Sequence, residues 1–357
     1  MITLNSISKQ VVHVAVAVIR YQDEFLLGYR SRHQHQGELF EFVGGKIEAG
    51  ETATDALCRE VLEETGLDIY QNKLLKLGRI WHDYADKSVC LHVFQISLSN
   101  TQFKKYRQKS HGLENQPLIW ASKTELLAQR FPLPKANMTI LAWLSLPDCL
   151  AVTLPVTEFE PPFDWLDYHQ TAIPKHAWVY VRPKASLEGQ GAVSDVELSK
   201  QLISQRSDIK VILPVSVAQK LDDSSQMLPQ LMAGHLSQSE LLAPDFGGLK
   251  LTKFNHPLVV SCHDDQSIKA ANTLAKLRLS QQLPPVLAIL LAPVLPTMSH
   301  PNEPALGWQA WSDLAALADV PVIALGGLSP EQFDTAQGFG AMTISGIRQF
   351  LEKIERC

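Results

Sequence analysis

Residues 11–19 (VVHVAVAVI) are rich in β-branched residues, the pattern of a buried strand. A polar turn at residues 21–24 follows, and residues 25–29 return as a second strand. Residues 40–43 form an extended approach to the pair Gly44-Gly45. Over residues 54–65 the period changes. Ala53, Ala56, Leu57 and Val61 fall on one stripe at helical spacing, with Gly66 just past the helix end. Residues 74–80 and 89–98 read as strands, residues 118–120 as a short strand and 124–129 as a helical turn. A second helical stretch covers residues 136–144. The pattern predicts one sheet flanked by two main helices, an α/β sandwich over residues 1–144.

Residues 145–148, with Pro147, read as a hinge, and from Cys149 the rhythm is different. Short apolar runs recur at 150–154, 178–181, 211–213, around 235–236, and at 258–260, 286–291, 322–325 and 342–344. Helical patterns at 196–204, 267–277 and 307–317 alternate with them. Eight β/α units over residues 149–357 predict a small TIM barrel, whose functional residues belong at the C-terminal strand ends.

Length and composition add limits. A chain of 357 residues, 45% hydrophobic, can bury a separate core in each half. Its net charge of −5 gives no general attraction to nucleic acid or to anionic membranes, so neither is expected as a partner and any phosphate binding must be local. Cys58, Cys90, Cys149, Cys262 and Cys357 are odd in number and scattered, as in a reducing cytoplasm. The start of the chain lacks the basic and then apolar pattern of a signal peptide, and no apolar run is long enough to span a bilayer.

The strongest chemical signal lies on the first helix. Glu60, Glu63 and Glu64 share one face at i, i+3 and i+4. Alone, such a triple reads as a solvated acidic face; as a group it could hold a hard cation together with substrate phosphates. The surrounding spacing favours the cation. Gly45 is followed after five residues by Glu51, and after seven more by Arg59-Glu60, then Val61, Glu63-Glu64, Gly66 and Leu67. This is identified as a complete Nudix box.

The first half resembles MutT-type Nudix hydrolases, which remove oxidised guanine nucleotides. The approach Glu41-Phe42-Val43-Gly44-Gly45-Lys46-Ile47-Glu48 matches the family's, with Val43 where the family has proline. The resemblance implies Mg2+, or Mn2+, held by Glu60, Glu63, Glu64, Glu114 and the Gly44 carbonyl, with either Glu64 or Glu114 as base. It places Glu51 and Arg59 around those glutamates as orienting groups. It also places Arg30, Phe42, Lys87 and Asn137 against a nucleoside triphosphate. Asn137, in Pro134-Lys135-Ala136-Asn137, could read a purine edge because an amide both donates and accepts; by itself it also reads as a helix N-cap. The implied reaction converts 8-oxo-dGTP to the monophosphate and diphosphate.

The second half resembles thiamin phosphate synthase and its relative TenI. The carriers are Arg182-Pro183-Lys184, Ser261-Cys262-His263, the segment from Ala292 through Thr297 to His300, Gly326-Gly327 and Ser345-Gly346. The last two pairs and Thr297 are the expected phosphate cradle for a thiazole phosphate or another phosphate ligand. The family's acidic pair after strand three is replaced by Leu213-Pro214-Val215, its later metal aspartate falls near Glu240, and His300 replaces a lysine. Full synthase activity is therefore not expected; the alternatives are a Nudix hydrolase of another nucleoside diphosphate derivative, with the barrel a thiazole phosphate enzyme, a phosphate-ligand sensor or a docking scaffold without catalysis.

Overall fold

The computed structural model describes residues 11–30, 32, 37–83, 87–161, 164–185, 194–222, 229–298 and 304–352. The chain divides into two compact units, Met1–Ser145 and Leu146–Cys357.

The first unit is built on a seven-stranded mixed sheet. Strands β1 (Val11–Tyr21) and β2 (Glu24–Tyr29) form a hairpin, joined by β3 (Phe40–Glu41) and β4 (Val43–Lys46). Helix α1 (Ala53–Thr65) leads to β5 (Leu74–Asp83) and β6 (Ser88–Ser97), then α2 (Asn100–Tyr106), β7 (Leu118–Ser122), α3 (Lys123–Leu127) and α4 (Asn137–Leu144). The central path runs β3-β2-β1-β6-β5; β4 pairs with β1 and β7 with β2. The β1–β6 pair is parallel and its register is unbroken from Val11↔Ser88 to Arg20↔Ser97.

Local chemistry sets the ends of α1. The Thr52 hydroxyl accepts the Asp55 N–H at 3.1 Å, which satisfies one of the free donors of the first turn. At the other end Gly66 takes the left-handed conformation, φ 72°, and its N–H bonds back to the Leu62 carbonyl. The apolar stripe predicted for this helix is buried: Ala56, Leu57, Cys58 and Val61 pack on Ala15, Ala17 and Ile19 of β1 and on Phe94 and Ile96 of β6. Burying one such aliphatic side chain contributes roughly 1.5–3 kcal/mol. Cys58 belongs to this core. Val43, standing where the resemblance expects proline, is held by its pairing with Ala17.

The second unit is a closed parallel barrel of eight strands. They are β8 (Cys149–Val152), β9 (Trp178–Tyr180), β10 (Lys210–Pro214), β11 (Leu231–Leu236), β12 (Leu258–Cys262), β13 (Val286–Leu291), β14 (Val322–Leu325) and β15 (Thr343–Gly346). Each coincides with one of the predicted apolar runs, and β15 closes on β8. The helices include α5 (Asp164–Ala172), α6 (Asp195–Gln205), α7 (Val215–Asp222), α8 (Gln238–Leu242), α9 (Asp265–Ser280), α10 (Gly307–Ala315) and α11 (Phe333–Gly338). This is a small TIM barrel.

Candidate metal and nucleotide site

The two glycines at the end of the approach both lie in close contact, Gly44 with the backbone of β1 and Gly45 with a side chain of α1. A Cβ on Gly44 would lie 2.1 Å from the Ala15 carbonyl oxygen, and one on Gly45 would lie 2.1 Å from the Glu60 carboxyl carbon. The Glu60 carboxylate therefore rests directly on the Gly45 backbone. The box spacing achieves this by laying α1 across β4.

Arg59 organises the outer side of the helix. Its Nε and Nη2 bind the two Glu51 oxygens at 2.9 Å each, its Nη1 donates to Glu60 at 2.8 Å and to Glu63 at 3.1 Å, and Nη2 also reaches the Lys46 carbonyl. Glu51 in turn accepts the Glu48 N–H at 3.1 Å. Hydrogen bonding to Arg59 and Glu48 lowers the Glu51 carboxyl pKa. A fork of this kind is beyond lysine.

Glu64 faces the inner side. Burial, and then the charges of Glu41, Glu60 and Glu114, push its pKa up to about 8, while a Gly44 backbone hydrogen bond acts the other way. Glu41, Glu60, Glu64 and Glu114 thus form one electrostatic neighbourhood. Glu63 stands outside it: its side chain is 56% exposed and turned to Arg59.

The Glu114 loop is docked by backbone bonds. The Glu64 carbonyl accepts the Leu113 N–H at 2.7 Å and the Gln116 side-chain amide at 3.1 Å. The Gln116 side chain thus ties this loop to the end of α1.

Glu41 joins these carboxylates without being a predicted site residue. It is paired with Arg30, and burial raises its pKa against the opposing effect of that guanidinium. Its signal was present in the glycine approach, but only the β2–β3 pairing, Gly28↔Glu41 and Tyr29↔Phe40, brings it beside Arg30. Phe42 is buried. Nearby, Phe40 lies between Tyr29 and Phe131, with ring centroids 5.0 and 5.2 Å away. Asn137 is the first residue of α4, not its cap; Ala136 holds that place without a side-chain bond. The Asn137 residue is only 7% exposed, and its side-chain amide has no hydrogen-bond partner among the described residues. Lys87 lies just before β6, beside residues 84–86, which are outside the described set.

In the barrel, the C-terminal strand ends carry the expected motifs. Val294 and Leu295 N–H groups donate to the Leu325 and Gly326 carbonyls at 3.0 Å each, so the segment holding Thr297 lies along Gly326-Gly327. Ser345 and Gly346 end β15, but the buried Ser345 hydroxyl donates to the Leu150 carbonyl at 2.9 Å. Glu240 is engaged in a capping box, accepting the Ser237 N–H and hydroxyl at 2.8 and 2.7 Å. His300 lies outside the described residues. At the same barrel end, a buried chain not foreseen from sequence links the Tyr180 hydroxyl, His235 and the Ser261 hydroxyl, each contact 2.7 Å.

Comparison with known proteins agrees with these two architectures. The NUDIX domain family matches residues 14–143, and the thiamine monophosphate synthase family matches residues 235–350. The chain is 30% identical to the 8-oxo-dGTP diphosphatase of Escherichia coli K12 over 134 residues, which is 37% of this chain and 95% of that enzyme. The chain belongs to the Nudix family. Its Nudix domain is also 36% identical over 91 residues to the 8-oxo-dGTP diphosphatase of Proteus vulgaris, covering 25% of this chain and 79% of the relative. A third relative, the CTP pyrophosphohydrolase of E. coli K12, is 26% identical over 132 residues, 37% of this chain and 90% of that enzyme. The thiamine monophosphate synthase match covers residues 235–350 of the barrel that follows the Nudix domain.

Proposed function

We propose that the Nudix domain is a divalent-metal-dependent diphosphohydrolase of oxidised guanine nucleotides, converting 8-oxo-dGTP to 8-oxo-dGMP and diphosphate. The observation that carries the substrate reading is Asn137, whose side-chain amide makes no hydrogen bond to another described residue, in the segment that follows the aromatic group around Phe40. A base closing over this amide excludes water from it, at a cost of about 1–3 kcal/mol unless the base edge offers complementary groups. A nucleobase that presents the wrong edge leaves that cost in place, and this supplies discrimination.

The donor set suits Mg2+ or Mn2+. Four carboxylates share one neighbourhood, where burial, and then the charges of Glu41, Glu60 and Glu114, raise the Glu64 pKa to about 8. Glu60, Glu64, Glu114 and the Gly44 carbonyl are the groups for the ion, with Glu63 joining by turning away from Arg59. When bound, such an ion neutralises phosphate charge and makes a coordinated water more acidic. The chain's own residues do the rest. Glu64 or Glu114 takes the proton from the water that attacks the β-phosphorus. Arg59 and Glu51 keep Glu60 in place over Gly45. Arg30, fixed by Glu41, presents its cationic edge to the nucleotide, and Lys87 supplies a second positive charge.

The test is diphosphate release by the full-length chain with Mg2+, on 8-oxo-dGTP, dGTP and CTP, for the natural protein, Glu60→Gln and Asn137→Ala. The proposal requires preference for the oxidised nucleotide, loss of turnover in Glu60→Gln, and loss of the preference in Asn137→Ala with turnover of other nucleotides retained. Faster hydrolysis of CTP would refute it and favour a second reading, a pyrimidine triphosphate diphosphatase, for which the likeness to the CTP enzyme speaks. For the barrel, we propose a phosphate-ligand sensor or docking role without full synthase activity, since the Glu240 carboxylate is held in its capping box and Leu213-Pro214-Val215 places no acid at the end of β10.

A further inference from the structure

Away from the Nudix carboxylates, the β1–β6 register brings together three side chains of another chemical character. His13 pairs with Cys90, and His92 lies two residues further along β6, so all three project from one sheet face. His13 Nδ1 is 3.0 Å from His92 Nε2, and Cys90 Sγ is 3.7 Å from the same nitrogen. Among the described residues, this is the group of histidine, cysteine and carboxylate ligands whose donor atoms all lie within 4.8 Å of one another.

We propose that His13, Cys90 and His92 form a second metal site, specific for a thiophilic divalent ion of the Zn2+ class. A tetrahedral zinc with Zn–N near 2.05 Å and Zn–S near 2.3 Å sets its ligand atoms about 3.3 Å apart for N···N and about 3.5 Å for N···S. The observed separations are already within a few tenths of an ångström of these. Two imidazoles and a thiolate select against Mg2+, which takes oxygen ligands, so this site and the carboxylate site sort ions by ligand softness. The contact between the two ring nitrogens now needs one shared proton; a cation would engage both nitrogens at once. Its scaffold is the longest uninterrupted pairing of the domain, so little ordering remains to be done on binding. Cys90 is buried and His13 exposed, which leaves the fourth position on the solvent side for water or an incoming ligand.

The site has a defined relation to the Nudix centre. His92 pairs with Ala15, and Ala15 pairs with Gly45, on which Glu60 rests. Two strand spacings, roughly 9–10 Å, separate the rows. The two sites therefore share a sheet face without sharing a ligand, and the inference does not rest on the nucleotide proposed above.

The experiment is titration of the chelator-stripped full-length chain with Co2+ and then Zn2+, followed by the thiolate-to-cobalt charge-transfer band and by metal content after gel filtration. The expected result is one thiolate-bound Co2+ per chain, displaced by Zn2+. The band should vanish in Cys90→Ser. In His13→Gln the affinity should fall by more than the roughly 10- to 100-fold that loss of an outer-sphere partner brings. His13 is exposed, so His13→Gln decides the matter if Cys90→Ser does not fold. Glu63→Gln should leave the band unchanged. Absence of the band in the natural protein, its persistence in Cys90→Ser, an affinity in His13→Gln that falls by no more than that roughly 10- to 100-fold, or loss of the band in Glu63→Gln would overturn the assignment.

Discussion

At the start of the barrel, a histidine is placed so that it cannot accept a second proton without breaking its surroundings. His169 on α5 is fully buried, at 0% exposure. The Leu154 N–H donates to its Nε2 at 2.9 Å, its own Nδ1–H donates to the Trp165 carbonyl at 2.7 Å, and the Trp165 indole N–H closes the network on the Leu154 carbonyl at 2.7 Å. Protonation at Nε2 would set two N–H groups against each other. Burial accordingly lowers the His169 pKa to about 4, partly opposed by the bond to Trp165. An unfolded histidine titrates near 6.5. Below that pH the unfolded chain binds a proton that the folded barrel refuses, so stability is full above pH 6.5 and is lost as pH falls toward 4. The difference of about 2.5 pKa units corresponds to about 3 kcal/mol over the whole window, and to about 2 kcal/mol between pH 6.5 and 5.

The variant His169→Gln isolates this contribution, because a glutamine amide can accept from Leu154 and donate to Trp165 but does not titrate. Urea unfolding of the full-length chain at pH 7 and pH 5 would be followed by hydrogen exchange in peptides covering β8 and α5, which reports the barrel separately from the Nudix domain. The natural protein should lose about 2 kcal/mol more than the variant between the two pH values. An equal loss in both proteins would refute the assignment of this acid sensitivity to His169. His235, whose pKa burial and Arg182 lower to about 3, acts in the same direction and remains in both proteins, so it cancels in the comparison.

Three further outcomes follow from the site. Gly45→Ala should keep the melting temperature, because the atoms it meets belong to a flexible carboxylate, yet lower diphosphate release about 10- to 100-fold by pushing Glu60 off the backbone. Arg59→Lys should lower kcat by a similar factor of about 10–100, with KM little changed, since one ammonium cannot hold Glu51, Glu60 and Glu63 together. Glu240→Ala should destabilise the barrel by about 1 kcal/mol through loss of the capping box, measured by denaturant unfolding, without altering nucleotide hydrolysis.

Which features were legible from sequence depended on how far apart their determinants lie in the chain. All eight barrel strands could be read because parallel strands covered on both faces are continuous apolar runs. The end of α1 could be read because its glycine acts locally. Helix α2 was missed although its cue was local too: Ser99 and Gln102 form a capping box, but the segment between its caps has little apolar periodicity. The Nudix carboxylates were visible as a spacing, whereas the division of labour between them was not. That Glu63 faces Arg59 while Glu64 faces Glu41 depends on how α1 crosses β4, which i, i+3, i+4 spacing does not specify. Glu41 itself needed the pairing of β2 with β3, and the His13–His92 contact joins residues 79 positions apart through a parallel register that no turn announces. The pairing of distant strands in the first unit is therefore the step that sequence patterns leave open, and the parallel β1–β6 register is what builds the proposed zinc site. If Zn2+ binds there, the β1–β6 register gains a chemical lock at one end, and the natural protein should hold exchange protection in β1 and β6 that His13→Gln loses on adding Zn2+.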